Sequence, residues 1–328
     1  MNKIGIIGAG AWGTALATVC RRAGREVVLW AREADVVEAI NETHENSAFL
    51  PGIALDPAIR ATSAEAEALD ADAVLMVAPA QHLRQAGRSL AAYWKPGVAA
   101  VICCKGIEQE SSALMSEILA ETLPDAPLAV LSGPTFAAEV AREQPTAVTL
   151  ASQHEELSAQ LPEVLGSTFF RVYSTDDIIG AQLGGAVKNV LAIACGVVEG
   201  RRMGDNARAA LITRGLSEIA KLALAKGAKA ETLMGLSGLG DLILTCSAMQ
   251  SRNFSLGVAL GKGEALKDIL AMRKSIAEGV FTASSVCGLA RDLGLDLPIC
   301  QAVDGILNHA QDIDLSIAGL LARPTGEE

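Results

Sequence analysis

Three short stretches of this sequence place polar chemistry among residues that have no need of it for packing. Lys188 sits within Gly184-Gly185-Ala186-Val187-Lys188-Asn189-Val190-Leu191-Ala192-Ile193. An ammonium in so apolar a helix must reach out to water along its own stem, pair with an acid, or give up its proton more easily than usual. The last two outcomes suit a proton donor to a developing alkoxide. Asp241, in Leu236-Ser237-Gly238-Leu239-Gly240-Asp241-Leu242, is a carboxylate amid glycines and apolar side chains, a costly position without a charged partner. Lys188 is the obvious partner, and capping of the following helical stretch is the other use for such an aspartate. Ser251-Arg252-Asn253 gathers a hydroxyl, a planar guanidinium and an amide within three residues. That set can clamp an oxyanion or simply form a solvated loop.

A fourth stretch, Gly8-Ala9-Gly10-Ala11-Trp12-Gly13, follows the apolar run Lys3 to Ile7 and opens a helical segment. In that setting Gly8 permits a tight turn, Gly10 leaves bare backbone for a pyrophosphate, and Gly13 lets helix and strand approach closely. The helix N-terminus then faces the phosphates, and a dinucleotide site is expected. Selection of the cofactor belongs to the end of the second strand, where Ala31 and Arg32 follow Val27-Val28-Leu29-Trp30. A carboxylate for the ribose 2′-hydroxyl is missing from that position, and a cation suits a 2′-phosphate. NADP(H) is therefore favoured, with Glu33 keeping NAD(H) open.

The elements that must position these groups change character along the chain. Lys3 to Ile7, Glu26 to Trp30, Ala73 to Val77, Val98 to Cys103, Leu128 to Leu131 and Thr146 to Leu150 are strand-length apolar runs. With Gly13 to Ala23 and Ser111 to Glu121 reading as helices between them, they predict an α/β, Rossmann-like, doubly wound parallel sheet. From about Asp176 the segments Ile178 to Val198, Ala207 to Lys226, Gly279 to Asp292 and Pro298 to Gln311 are long and apolar at three- and four-residue spacing. They predict an all-α second domain. The division is placed at 1–177 and 178–328, where Asp176-Asp177 can cap the next helix.

With 328 residues the chain exceeds what one hydrophobic core usually serves, and 50% apolar against 3% aromatic residues means interiors built from Ala, Leu, Val and Ile. A net charge of −11 opposes a nucleic-acid partner. Seven scattered cysteines without CxxC spacing read as reduced thiols of a cytoplasmic protein. The isolated His44, His82, His154 and His309 predict no metal site. The apolar opening from Ile4 to Cys20 resembles a secretory leader only superficially, given its glycines and Arg21-Arg22, and no uninterrupted apolar stretch reaches the roughly 18 residues of a membrane span.

In order and spacing, the blocks Gly8 to Leu16, Phe49-Leu50-Pro51-Gly52, Cys104-Lys105-Gly106-Ile107, Leu131 to Ala137, Val187-Lys188-Asn189, Gly238 to Leu242 and Ser251-Arg252-Asn253 closely resemble the bacterial NAD(P)-dependent glycerol-3-phosphate dehydrogenases. The resemblance spans nearly the whole chain. It implies reduction of dihydroxyacetone phosphate to sn-glycerol 3-phosphate, a phospholipid precursor, with Lys188 as proton donor and acceptor at the C2 oxygen. Lys105 and Asp241 complete the implied catalytic set. Substrate contacts would be Lys105, Gly133, Thr135, Lys188, Asp241, Ser251, Arg252 and Asn253. Cofactor neighbours would be Gly8, Gly10, Ala11, Trp12, Gly13, Arg32, Lys105, Ala137, Arg252, Ile276 and Glu278. A homodimer is a family-level expectation. The rival readings are another two-domain reductase, such as a ketopantoate reductase, and a non-catalytic NAD(P)-sensing protein.

Overall fold

The computed structural model describes residues 1–273 and 277–324. Eight strands, Lys3–Ile7 (β1), Glu26–Trp30 (β2), Ile59–Thr62 (β3), Ala73–Met76 (β4), Ala99–Ile102 (β5), Leu128–Ser132 (β6), Thr146–Ala151 (β7) and Phe170–Thr175 (β8), form one sheet. Their order is β3-β2-β1-β4-β5-β6-β7-β8. All neighbours are parallel except β6 and β7, which pair antiparallel through Val130 and Ala151, Leu131 and Leu150, and Ser132 and Thr149. The chain runs outward from β1 to β3 and then returns to β4 beside β1. That reversal is the switch point at which doubly wound sheets bind ligands, beyond the carboxyl ends of the strands.

Helices Ala11–Arg22 (α1), Ala34–Thr43 (α2), Glu65–Leu69 (α3), Leu83–Leu90 (α4), Met115–Thr122 (α5), Ala137–Ala141 (α6) and Glu155–Leu165 (α7) lie between the strands. Every residue of β4 and β5 is buried, as a parallel sheet covered on both faces requires. A single core runs from Ile4, Leu16 and Leu29 through Val101 and Leu131 to Leu150 and Phe170.

Two strands have no counterpart in the sequence reading. β3 is only four residues long and carries an exposed arginine, Arg60, while β8 is an edge strand with most of its residues partly or fully exposed. Neither is an apolar run, so neither carries the signal by which the buried strands are recognised. The helix expected from Ser111 begins instead at Met115, because Ser112 adopts a left-handed φ of 56° and Glu108 to Ala113 close a loop of their own.

Helices Ile178–Gly200 (α8), Asp205–Ala225 (α9), Ala230–Leu233 (α10), Asp241–Ser247 (α11), Arg252–Gly261 (α12), Leu266–Ala271 (α13), Glu278–Asp292 (α14), Pro298–Asn308 (α15) and Ile313–Leu321 (α16) complete the chain. Asp177 caps α8, its Oδ1 accepting from the Gly180 N–H at 2.8 Å. By packing, the chain divides into two compact units, Met1–Lys105 with Leu114–Gln182, and Gly106–Ala113 with Leu183 onward. The first turn of α8 thus stays with the first unit. The segment Gly106–Ala113 belongs to the second through α14: the Ser285 hydroxyl donates to the Ile107 carbonyl at 3.1 Å, and the Gln109 amide to Ser284 Oγ at 3.3 Å.

α8 is long and apolar enough to cross a membrane by length and composition alone, but 83% of its apolar window is buried within the protein, as in a core helix. It meets α12 backbone to backbone. A Cβ on Gly257 would fall 2.1 Å from the Ile193 carbonyl oxygen, and one on Gly196 would fall 2.1 Å from that of Phe254. Paired small residues four apart, Gly196 and Gly200 against Gly257 and Gly261, are what permit that approach. The contact also sets the N-terminal end of α12 beside the Lys188 turn of α8.

Candidate active site

The glycine turn of the first unit lies between β1 and α1. Gly8 has φ +117° and a Cβ there would meet Val77 backbone at 3.0 Å, while a Cβ on Gly13 would fall 1.9 Å from the Gly8 carbonyl oxygen. A Cβ on Gly10 would meet nothing within 4 Å, so open space lies over that residue. Gly10 is the N-cap of α1 and offers no side chain to its first N–H groups, which leaves them suited to an anion. Ala11 and Trp12 are half-buried in the first turn, and Ala137 opens α6. The donor set and the open space fit a dinucleotide pyrophosphate.

Arg32, two residues beyond β2, is 81% exposed and donates to Glu33 Oε1 at 2.8 Å. Lys105 follows β5 and donates from Nζ to the Gly133 carbonyl at 2.9 Å, and the Thr135 hydroxyl approaches the same oxygen at 3.3 Å. Gly133 follows β6 with φ +152°, and a Cβ there would stand 2.9 Å from Val148 Cα. Lys105, Gly133 and Thr135 therefore cluster at the carboxyl ends of β5 and β6.

In the second unit Lys188 and Asp241 form a buried ion pair, with side chains 7% and 0% exposed. Lys188 Nζ also donates to Thr245 Oγ1 at 2.8 Å, and that hydroxyl donates to the Asp241 carbonyl at 2.7 Å. Asp241 and Thr245 share one face of α11 by their four-residue spacing. Of the uses open to Lys188 in an apolar helix, pairing is the one realised. Cys246, next along α11, is pushed well above its ordinary range by a hydrogen bond with Cys195 and by burial, which favours the neutral thiol beside the ion pair.

Asn253 is buried against the same region, giving an amide hydrogen to Asn189 Oδ1 at 2.9 Å and accepting the Gly279 N–H at 3.0 Å. Ser251 is the N-cap of α12, its Oγ accepting from the Phe254 N–H at 3.2 Å. The Ser251 to Asn253 stretch is thus a helix start rather than a solvated loop. Arg252 is exposed at the first position of α12, where the helix dipole adds positive potential. Arg273 reaches the Arg252 carbonyl at 2.7 Å, and its guanidinium is held below its ordinary range by burial and by the like charge of Arg252. Glu278 opens α14 next to the Gly279 that binds Asn253. Ile276 lies outside the described residues. Among the described residues no group of three or more metal-ligating side chains occurs, and no cysteine forms a disulfide.

Sequence reasoning passed over Thr245 and gave Asn189 no role of its own. The available signals were the spacing from Asp241 to Thr245 and the adjacency of Asn189 to Lys188.

The fold and these two clusters define a dinucleotide-binding oxidoreductase with a buried lysine. Residues 3–158 match the family model for the NAD-dependent glycerol-3-phosphate dehydrogenase N-terminus, and residues 177–318 match that for its C-terminus. The chain is 57% identical over 327 residues to a glycerol-3-phosphate dehydrogenase (NAD(P)+) of Parvibaculum lavamentivorans, covering 100% of this chain and 98% of that one. It is 58% identical to that of Rhodospirillum rubrum, covering 99% and 93%. The crystal structure of a glycerol-3-phosphate dehydrogenase from Coxiella burnetii superposes with a TM-score of 0.95 at 39% identity, covering 98% of this chain and 99% of that one. A ketopantoate reductase from Ralstonia eutropha, at 17% identity and a TM-score of 0.63 with 96% and 99% covered, shares the fold alone. The chain belongs to the NAD(P)-dependent glycerol-3-phosphate dehydrogenase family of oxidoreductases.

Proposed function

We propose that this chain interconverts dihydroxyacetone phosphate and sn-glycerol 3-phosphate, supplying the glycerol backbone for phospholipid synthesis. The observation that carries the reading is the buried Lys188–Asp241 pair in a member of this family. When bound, the reduced nicotinamide supplies a hydride to the substrate's C2. Lys188 donates a proton to the C2 oxygen as it becomes an alkoxide, and takes it back in the reverse direction. Asp241 and Thr245 hold the ammonium in place and aim it, and the apolar helix around it strengthens its field by excluding water. Lys105, Gly133, Thr135, Ser251, Arg252 and Asn253 are assigned to substrate contacts. Arg252 takes the phosphate, because its planar fork matches two phosphate oxygens and it stands at a helix N-terminus.

Gly8, Gly10, Ala11, Trp12, Gly13 and Ala137 would hold the dinucleotide, with Lys105, Arg252, Ile276 and Glu278 as further neighbours. We favour NADP(H). A 2′-phosphate must draw Arg32 away from Glu33, but an exposed pair contributes about 0–1 kcal/mol, whereas a hydrogen bond to a charged group contributes about 1.5–3. The cytoplasm is the proposed location, supported by cysteines without disulfides, and the net charge of −11 argues against a nucleic-acid partner.

A homodimer is proposed on α16. No residue of this apolar helix is buried, and Leu315 and Leu321 are 74% and 76% exposed. Beside it lies a cavity of about 610 Å³ lined by Ile193, Val197, Leu211, Ile306, Ile317 and Leu320. Such a surface suits burial by a second copy.

The function is tested by incubating the protein with NADPH and dihydroxyacetone phosphate and identifying the product. One sn-glycerol 3-phosphate per NADPH consumed is expected. Consumption with ketopantoate but not with dihydroxyacetone phosphate would overturn the reading.

A further inference from the structure

Asn46 stands outside every role assigned above, three residues before the Phe49-Leu50-Pro51-Gly52 block, and it is 1% exposed. Its Nδ2 donates to the Ala9 carbonyl at 2.8 Å and to Thr14 Oγ1 at 2.8 Å, and its Oδ1 accepts from the Phe49 N–H at 3.2 Å. Ala9 is the residue between the first two glycines of the turn, and Thr14 belongs to the first turn of α1. One side chain therefore grips the glycine turn from both ends.

Its own support is rigid. Leu50, Ile53 and Leu55 are buried in the core of the first unit, the Leu50 N–H donates to the Asn46 carbonyl at 2.8 Å, and Glu45 bridges to Ala54. In a trans peptide the C=O and N–H point in opposite directions. Holding the Ala9 carbonyl toward Asn46 thus turns the Gly10 N–H the other way, and the space over Gly10 is open. A turn with three glycines has many conformations to lose, and a side chain that fixes its central peptide removes part of that entropy before any ligand arrives.

We propose that Asn46 is a positioning residue for the dinucleotide, presetting the Ala9–Gly10 peptide so that the first N–H groups of α1 are aimed at the pyrophosphate. The inference rests on the reading of the first unit as the dinucleotide site. It also gives the Phe49 to Gly52 block a purpose: its buried Leu50 anchors the segment that carries Asn46.

The test uses the full chain with Asn46→Ala, Asn46→Asp and Thr14→Val. Dissociation constants are measured by NADPH fluorescence and, by calorimetry, for adenosine 2′-monophosphate, which has no 5′-phosphate to meet the first N–H groups of α1. Asn46→Ala should weaken NADPH binding about tenfold, the worth of one hydrogen bond to a charged group. Asn46→Asp should weaken it at least as much, because a carboxylate has no hydrogen to give the Ala9 carbonyl. Thr14→Val, which removes only the hydroxyl partner and keeps the volume, should shift it less in the same direction. Binding of adenosine 2′-monophosphate and kcat at saturating NADPH should hold. Unchanged NADPH binding in all three variants would overturn the inference, as would equal weakening of both ligands, which marks a general structural role. A parent protein that bound neither NADPH nor NADH would overturn the dinucleotide reading itself and the inference with it, a result distinct from either of those.

Discussion

Replacing one member of the Lys188–Asp241 pair at a time, and then both, separates what the pair does for folding from what it does for chemistry. Both side chains are almost wholly out of water, at 7% and 0% exposure, so removing either leaves the other as a buried charge without its counter-ion. That costs about 3–5 kcal/mol, whereas replacing both by apolar residues of similar volume is close to neutral. Lys188→Met and Asp241→Leu should each therefore destabilise strongly. The double variant should recover most of the loss, since Thr245 keeps its bond to the Asp241 backbone carbonyl. At about 2–4 °C per kcal/mol for a unit of this size, each single change should lower Tm by roughly 6–20 °C. Thermal unfolding followed by far-ultraviolet circular dichroism, which weights the helical unit, reads this directly. Turnover should stay lost in all three proteins. If the two single effects simply add in the double variant, the residues do not act as a pair. Turnover in the double variant would remove the ammonium from the mechanism.

Arg32→Ala should raise the Michaelis constant for NADPH roughly tenfold while changing that for NADH little, as expected of a lost charge-assisted contact. Equal effects on both cofactors would show that Arg32 does not read the 2′-phosphate. Glu218, buried on α9, caps α15 by accepting the Ile299 and Cys300 N–H groups at 2.7 and 3.1 Å, yet burial pushes its carboxyl above the ordinary value of 4.5. A raised folded-state value means its contribution is fully present below 4.5 and is lost as pH rises through that folded value. The stability of Glu218→Gln should therefore gain on the parent as pH rises above 4.5 in urea titrations, and a pH-independent difference would contradict the assignment. Gly257→Ala should destabilise by about 1–3 kcal/mol or more in the same titrations, because its Cβ would fall 2.1 Å from the Ile193 carbonyl oxygen of α8. A neutral result would show that α8 and α12 do not meet backbone to backbone.

Those parts of the fold that bury both faces were legible from residue types. β1 with its glycine turn, the fully apolar β4 and β5, and the long helix around Lys188 each carry a pattern that hydrophobic burial enforces. β3 and β8 were not legible, because an edge strand needs no apolar run, and the antiparallel pairing of β6 with β7 depends on a connection whose direction no local pattern encodes. Likewise Gly106–Ala113 packs with the second unit through Ser284 and Ser285 of α14, a contact between residues far apart in sequence. In the site, Lys188 and Asp241 could be matched from their cost in apolar surroundings, since a charge there demands a counter-charge. Thr245 and Asn46 impose no such demand. Threonine and asparagine occur everywhere, and their importance emerges only when folding brings them to an ammonium and to the Ala9 carbonyl.

The most direct measurement is the rate of NADPH oxidation with dihydroxyacetone phosphate, followed at the reduced-nicotinamide absorbance for the parent and for Lys188→Ala, with NADPH affinity measured on both. The parent should turn over, and Lys188→Ala should be slower by roughly 10²–10⁴ with its NADPH affinity nearly intact, the usual contribution of a positioned general acid. A parent without activity toward this ketone, or a Lys188→Ala protein with near-normal turnover, would contradict the account.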